Sequence, residues 1–228
     1  VPADDTRTSY HHGSLREDLI TACVKLIETE GIGAVSLRRV AREAGVSPAA
    51  PYHHFANRSA LLAAISVRGY ELLLRRLRQA RQEAPTPVRA LGALVETYVA
   101  FARDHPAYLH LMLRGDLSQP LRHPAAATAG EAAIQLLTEA VEDCQREGTA
   151  PPGDPGPLVG MVWALAIGIV TLWLDGPLEG RCVSLGTTPE RLTAQITALL
   201  EGMLVVSERG GSAGAARASR STGTRRSR

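Results

Sequence analysis

The sequence predicts an all-α fold: an N-terminal three-helix head with a helix-turn-helix, linked by one long helix to a larger helical domain. Three observations predict it. Ala, Leu and Arg, good helix formers, recur through all 228 residues. The alternation of apolar and polar residues that marks strands is almost absent. Pro- and Gly-rich joints, above all Ala150-Pro151-Pro152-Gly153-Asp154-Pro155-Gly156, separate segments whose apolar residues follow helical spacing.

Residues 1–13 read as a flexible arm ending in Tyr10-His11-His12-Gly13. Ser14-Leu15-Arg16-Glu17 then has the S-x-x-E form of a capping box. Leu15, Leu19, Cys23, Leu26 and Ile27 follow at helical spacing until Gly31 ends the first helix. Ser36 is placed to cap a second helix over Leu37–Ala44, with Gly45 supplying the left-handed stop. Val40, Ala41 and Ala44 face inward, Val46 fills the turn, and the small alanines let the next helix cross closely. Ser47 is expected to cap that third helix, with Pro48 at its first position, where a missing N–H costs nothing. Pro51 cannot bond back to the Ser47 carbonyl, so the third helix is expected to be short and tightened in its first turn.

Asn57 is a cap for a long helix from Arg58 to about Glu83, ended by Pro85 and Pro87. Further helices are expected near 87–104, 106–114, 124–147, 157–175 and 189–208. The resulting division is an arm (1–13), a helix-turn-helix domain (14–60), a larger helical domain (61–208) and an Arg-rich tail (209–228). The tail, rich in Gly, Ser, Ala and Arg, lacks the apolar residues for a core and reads as disordered.

Composition excludes several classes. The net charge of +2 includes six tail arginines with no acid among them, which leaves −4 on the rest. Nucleic-acid binding therefore has to rest on a local patch. Three scattered cysteines, without CxxC spacing, argue against disulfides or a zinc knuckle and for a reducing cytoplasm. The polar start, with Asp4 and Asp5, is unlike a signal peptide. Residues 158–174 carry no charge but lack flanking Lys/Arg clusters and are interrupted by Gly160 and Gly168. They read as a buried interface helix rather than a membrane span. No G-x-S-x-G, P-loop, H-E-x-x-H or nucleotide fingerprint occurs, so the chain reads as a non-enzyme without metal or cofactor. The adjacent His53 and His54 do not make a metal pair, since neighbours on a helix point about 100° apart.

The ordered series "SLRRVAREAGVSPAAPYHHFANRSALL" resembles the DNA-binding segment of the TetR family of regulators. The likeness covers about residues 14–64: a Ser-capped helix, Ala-x-x-Ala-Gly-Val-Ser, Tyr-x-x-Phe, a basic residue and a leucine pair. It implies double-stranded DNA, a palindromic operator, as a partner. Ser36 would bond a phosphate, and Arg38 would reach a guanine with its planar fork. Arg39 and Arg42 would be backbone contacts or solvated charges. Ser47, Ala49 and Ala50 would touch base edges, Tyr52 would hold a phosphate, and His53 would project toward the groove. Arg58 stands where most members have Lys and would hold the DNA backbone.

"MVWALAIGIVTLWLDG" resembles a C-terminal domain type of the same family marked Trp-x-x-x-His-Gly. Trp163 and Gly168 fit, and Ile167 replaces the histidine. Residues 157–175 and 189–208 present the long apolar faces of a homodimer bundle. Tyr98, Phe101, His105, Tyr108 and Met112, with Trp163 and Ile167, are the candidate lining for a small-molecule effector: ordinary core packing or an apolar pocket with a few orienting polar groups. The function expected is a homodimeric, ligand-responsive regulator, most often a repressor in this family. The alternative is a helical small-molecule-binding protein whose head meets a protein.

Overall fold

The computed structural model describes residues 12–174 and 176–204, the side chains from Leu15 onward. Residues 1–11 of the expected arm and the Arg-rich tail lie outside the described residues, while His12 and Gly13, expected in the arm, begin α1. All regular structure among those described is helical. In chain order it comprises α1 (His12–Glu30), α2 (Leu37–Glu43), α3 (Arg58–Glu83), α4 (Pro87–Asp104), α5 (Pro106–Met112), α6 (Pro124–Arg146), α7 (Gly156–Leu174), α8 (Leu178–Ser184) and α9 (189–204). Two 3-10 turns, Ile32–Ala34 and Ala50–His53, flank α2.

Two compact units result, one from residues up to 72 with 105–131, the other from 73–104 with residues from 132 on. The units do not follow the expected boundary near residue 60, because α5 joins the head. Leu19, Cys23, Val40, Leu61, Ile65 and Leu111 make one continuous core there.

Local chemistry sets the element ends. Gly31 and Gly45 adopt φ of 80° and 69°, the left-handed stops that follow α1 and α2. Ser36 caps α2, its hydroxyl accepting from the Arg39 N–H at 3.2 Å. Asn57 caps α3 in the same way, Oδ1 accepting from the Ala60 N–H at 2.9 Å. Ser14, by contrast, does not start α1: the helix begins two residues earlier, which leaves the expected capping box inside it. Glu17 instead pairs with Arg16 and Arg68.

In the second unit α7 packs along α4 through Val159, Val162, Ala166, Ile169 and Val170. α9 meets α4 across Gly92, where a Cβ would run into the Glu201 carboxylate. Arg89 holds that carboxylate at 2.6 Å, and the buried Thr197 hydroxyl donates to Glu96, also at 2.6 Å. By length and composition α7 could cross a membrane, with a mean hydropathy of 2.1. Its outer side chains remain uncovered in the single chain: Met161, Trp163 and Leu172 are each about half exposed.

Candidate nucleic-acid interface

The head is built so that its apolar residues lock three elements and its polar or small ones face out. Leu37, Val40 and Ala41 of α2 are buried against α1, and Pro51 and Phe55 pin the segment between α2 and α3. Arg38, Arg42, Ser47, Pro48, Ala49, Tyr52 and His53 are left exposed in the same stretch. Tyr52 is 55% exposed.

The element between α2 and α3 is tighter than an α-helix. Ala50 and Tyr52 donate their N–H groups three residues back, to the Ser47 and Ala49 carbonyls at 3.0 and 3.1 Å. Pro51 cannot donate, which removes the bond that would have opened an α-helical turn. The tightening expected at the first turn thus extends over the whole element, Ala50–His53. Ser47 is not its cap: Ala49 holds that position, without a side-chain bond. The Ser47 side chain is exposed instead.

The cations behind this edge are tied down unequally. Arg39 pairs with Glu30, and Lys25 bonds Glu43 at 2.7 Å, so two ion pairs join α1 to α2. The Lys25 hydrogen bond holds the Glu43 carboxyl below its ordinary range, and Glu43 raises Lys25 in return. Arg58 is held by two backbone carbonyls. Its Nε donates to the Val35 carbonyl at 2.9 Å and its Nη2 to that of Ile32 at 2.6 Å. The guanidinium expected on a DNA phosphate is bonded inside the head, against the turn before α2.

Burial pushes the Cys23 thiol up to about 12, with the Arg58 charge opposing it. Among the described residues no cluster of three or more His, Cys, Asp or Glu could hold a metal ion.

The expected effector residues fall in both units. In the first, His105 opens α5 and stacks edge-on to Tyr108, centroids 5.9 Å apart. Tyr108 and the buried Met112 pack against Gly69, and the Tyr70 hydroxyl donates to the Met112 carbonyl at 3.1 Å. Burial raises the Tyr108 phenol, with nearby Arg68 opposing. In the second, Phe101 is fully buried with the Arg76 guanidinium 5.7 Å from its ring centre, and Tyr98 is half-buried. Trp163 and Ile167 lie one turn apart on α7, the Trp half exposed. Phe101 and Met112 thus pack as ordinary core. An open cavity of about 390 Å³ lies in the second unit, lined by Arg78, Arg81, Gln82, Thr86, Leu136 and Asp143 among others. None of the expected residues lines it. Arg81 bonds Glu139 and Asp143 there, both at 2.7 Å, and holds both carboxyls below their ordinary range.

Comparison with known proteins agrees with this architecture. Residues 19–65 match the family model "Bacterial regulatory proteins, tetR family", and residues 91–200 match "Tetracyclin repressor-like, C-terminal domain". A solved protein of unknown function from Rhodococcus sp. RHA1 is 34% identical, with a TM-score of 0.75 over 87% of this chain and 99% of its own. The TetR family transcriptional regulator PfmR from Thermus thermophilus shares the fold at 20% identity and a TM-score of 0.64, over 81% of this chain and 94% of its own. The ketosteroid transcriptional regulator KstR2 of Mycobacterium tuberculosis does so at 19% and 0.61, over 82% and 93%.

Proposed function

The chain belongs to the TetR family of transcriptional regulators, and we propose that it is a homodimeric repressor released from a palindromic operator by a small apolar or amphipathic effector. The observation that carries the reading is the outward edge of the head. Arg38, Ser47, Ala49, Ala50, Tyr52 and His53 stand in one short stretch over a closed core. A short rigid turn with small side chains lets backbone and bases approach closely. Arg38 adds a fork for guanine, and Ser36 and Tyr52 add hydroxyls for phosphates. Arg39 is paired with Glu30 through Nη2.

The uncovered apolar side chains of α7 and α9 support a second copy as the partner of that unit. Two heads would then meet successive turns of one DNA face. The effector would act by favouring a head spacing that mismatches the operator, and operator would weaken effector binding by the same factor. The cytoplasm is the corresponding location.

Duplexes selected by the purified full-length protein from a fragmented genome, then measured across a salt series, test this reading. Tight, salt-sensitive binding to an inverted repeat is the expected result. Weak binding indifferent to sequence would overturn it and favour a helical small-molecule-binding protein whose head contacts protein.

A further inference from the structure

We infer that Arg58 is a positioning residue of the DNA-binding head, a staple that fixes the start of α2 to the start of α3, rather than a phosphate contact. The inference rests on the DNA-binding reading for its consequence but not for its geometry. Arg58 is the first residue of α3, directly beyond the reading turn. The two carbonyls it bonds belong to Ile32 and Val35, in the turn immediately before the Ser36 cap. One planar side chain therefore joins the entry of the helix-turn-helix to its exit, across 23 and 26 residues of sequence.

Its chemistry suits the task. A guanidinium presents several N–H donors in a fixed plane, so Nε and Nη2 can serve two acceptors at once. Lys would have to divide a single ammonium between them. The site is half-buried, where bonds from a charged donor are strong. Nearby Cys23, buried on α1, feels the same charge. With both ends held, α2 and the reading turn move as one body with the first turn of α3, so a displacement of that helix reaches Ser36 and Tyr52 undiluted.

The test uses full-length protein carrying Arg58→Lys and, separately, Arg58→Met. The first readout is backbone amide exchange at Ala34, Val35, Arg39 and Val40 without DNA. Exchange about tenfold faster in both variants is expected, with α1 unchanged as far as Ile27. The second is binding, across a salt series, to duplexes that the wild-type protein selects from a random pool. For Arg58→Lys the expected result is at least about a tenfold loss of preference over random-sequence duplex, with the salt slope unchanged. A phosphate contact gives the opposite pattern. Lys then binds like wild type, while Met flattens the slope by about one per half-site, and exchange does not change in either. That result overturns the staple. If Arg58→Met does not fold, Arg58→Lys decides. If wild-type protein selects no duplex, the DNA-binding reading fails, and unchanged exchange in Arg58→Lys still overturns the staple on its own.

Discussion

The head and the α7–α9 region handle apolar surface in opposite ways. Behind the reading turn Leu19, Cys23, Val40 and Leu61 are sealed from solvent, and what surrounds them outside is small, polar or charged. On α7 and α9, Met161, Trp163, Leu172, Leu199 and Met203 stay 45–68% exposed. The first pattern suits a partner that is hydrated and charged. The second suits a polypeptide that completes the core, because scattered exposed apolar residues are normal but runs on two helices of one unit are not. Loss of assembly should therefore leave the head folded, and loss of a base contact should leave the assembly intact.

The strongest test of that separation is the double substitution Trp163→Asp with Leu199→Asp. Sedimentation should show a monomer, and affinity for the selected inverted repeat should fall by roughly 10²-fold or more as the linked second head is lost. The head's own melting should not change. A variant that stays dimeric would refute the α7–α9 interface. Arg38→Ala should lower discrimination at one base pair per half-site by about 1–3 kcal/mol while the dimer persists. An equal loss on every sequence in a binding-site selection would instead make Arg38 a backbone contact. Tyr52→Phe should be milder, about tenfold weaker on all duplexes alike, and an effect confined to one operator variant would contradict the phosphate role.

Packing inside the head's unit provides a smaller effect. Gly69→Ala places a Cβ 2.7 Å from the Met112 sulfur and 3.1 Å from the Tyr108 Cβ. Overpacking of this kind costs about 1–3 kcal/mol, against roughly 1 kcal/mol gained in helix propensity. A net loss of stability is expected in denaturant titration, and a gain would show that α5 yields easily.

The last test concerns pH. Cys23 is protonated in the folded chain until about pH 12, whereas an exposed thiol ionises near 9. Between those values the unfolded state holds fewer protons, so its contribution to stability falls as pH rises through that window and is constant below it. Alkylation of Cys23 at pH 8 should accordingly require unfolding, and rapid labelling of native protein would place the thiol at the surface.

Much of this was legible from residues in order. Ser36, Gly45, Asn57 and the prolines at 85 and 87 act within one turn of themselves, so the ends of α2 and α3 follow from local chemistry. The same holds for the tightening at Pro51, although its full extent does not, since one missing N–H leaves open whether the following turn recovers. Arg58 shows the limit. A basic residue opening a helix beside a reading element suggests a phosphate, and only folding brings the carbonyls of Ile32 and Val35 to it. Likewise, nothing local pairs Arg39 with Glu30 rather than with solvent. The seven-residue α8 escaped notice because it is too short to display a period. The aromatic cluster at 98–112 marks a different limit: density along the sequence says nothing of which side chains face one another, and the fold divides them between two units.

The 3-10 geometry of Ala50–His53 limits how much sequence such a head can read. Side chains three apart eclipse in that geometry, so the edge presents two columns, Ala49 over Tyr52 and Ala50 over His53. At about 2.0 Å per residue, three residues advance roughly 6 Å, less than two base-pair steps of about 3.4 Å. In the proposed reading an edge of that length addresses only a couple of base pairs in each half-site. Beyond the base pair that Arg38 would read from α2, the operator's remaining information would then be carried by how readily the duplex bends and narrows between the two heads.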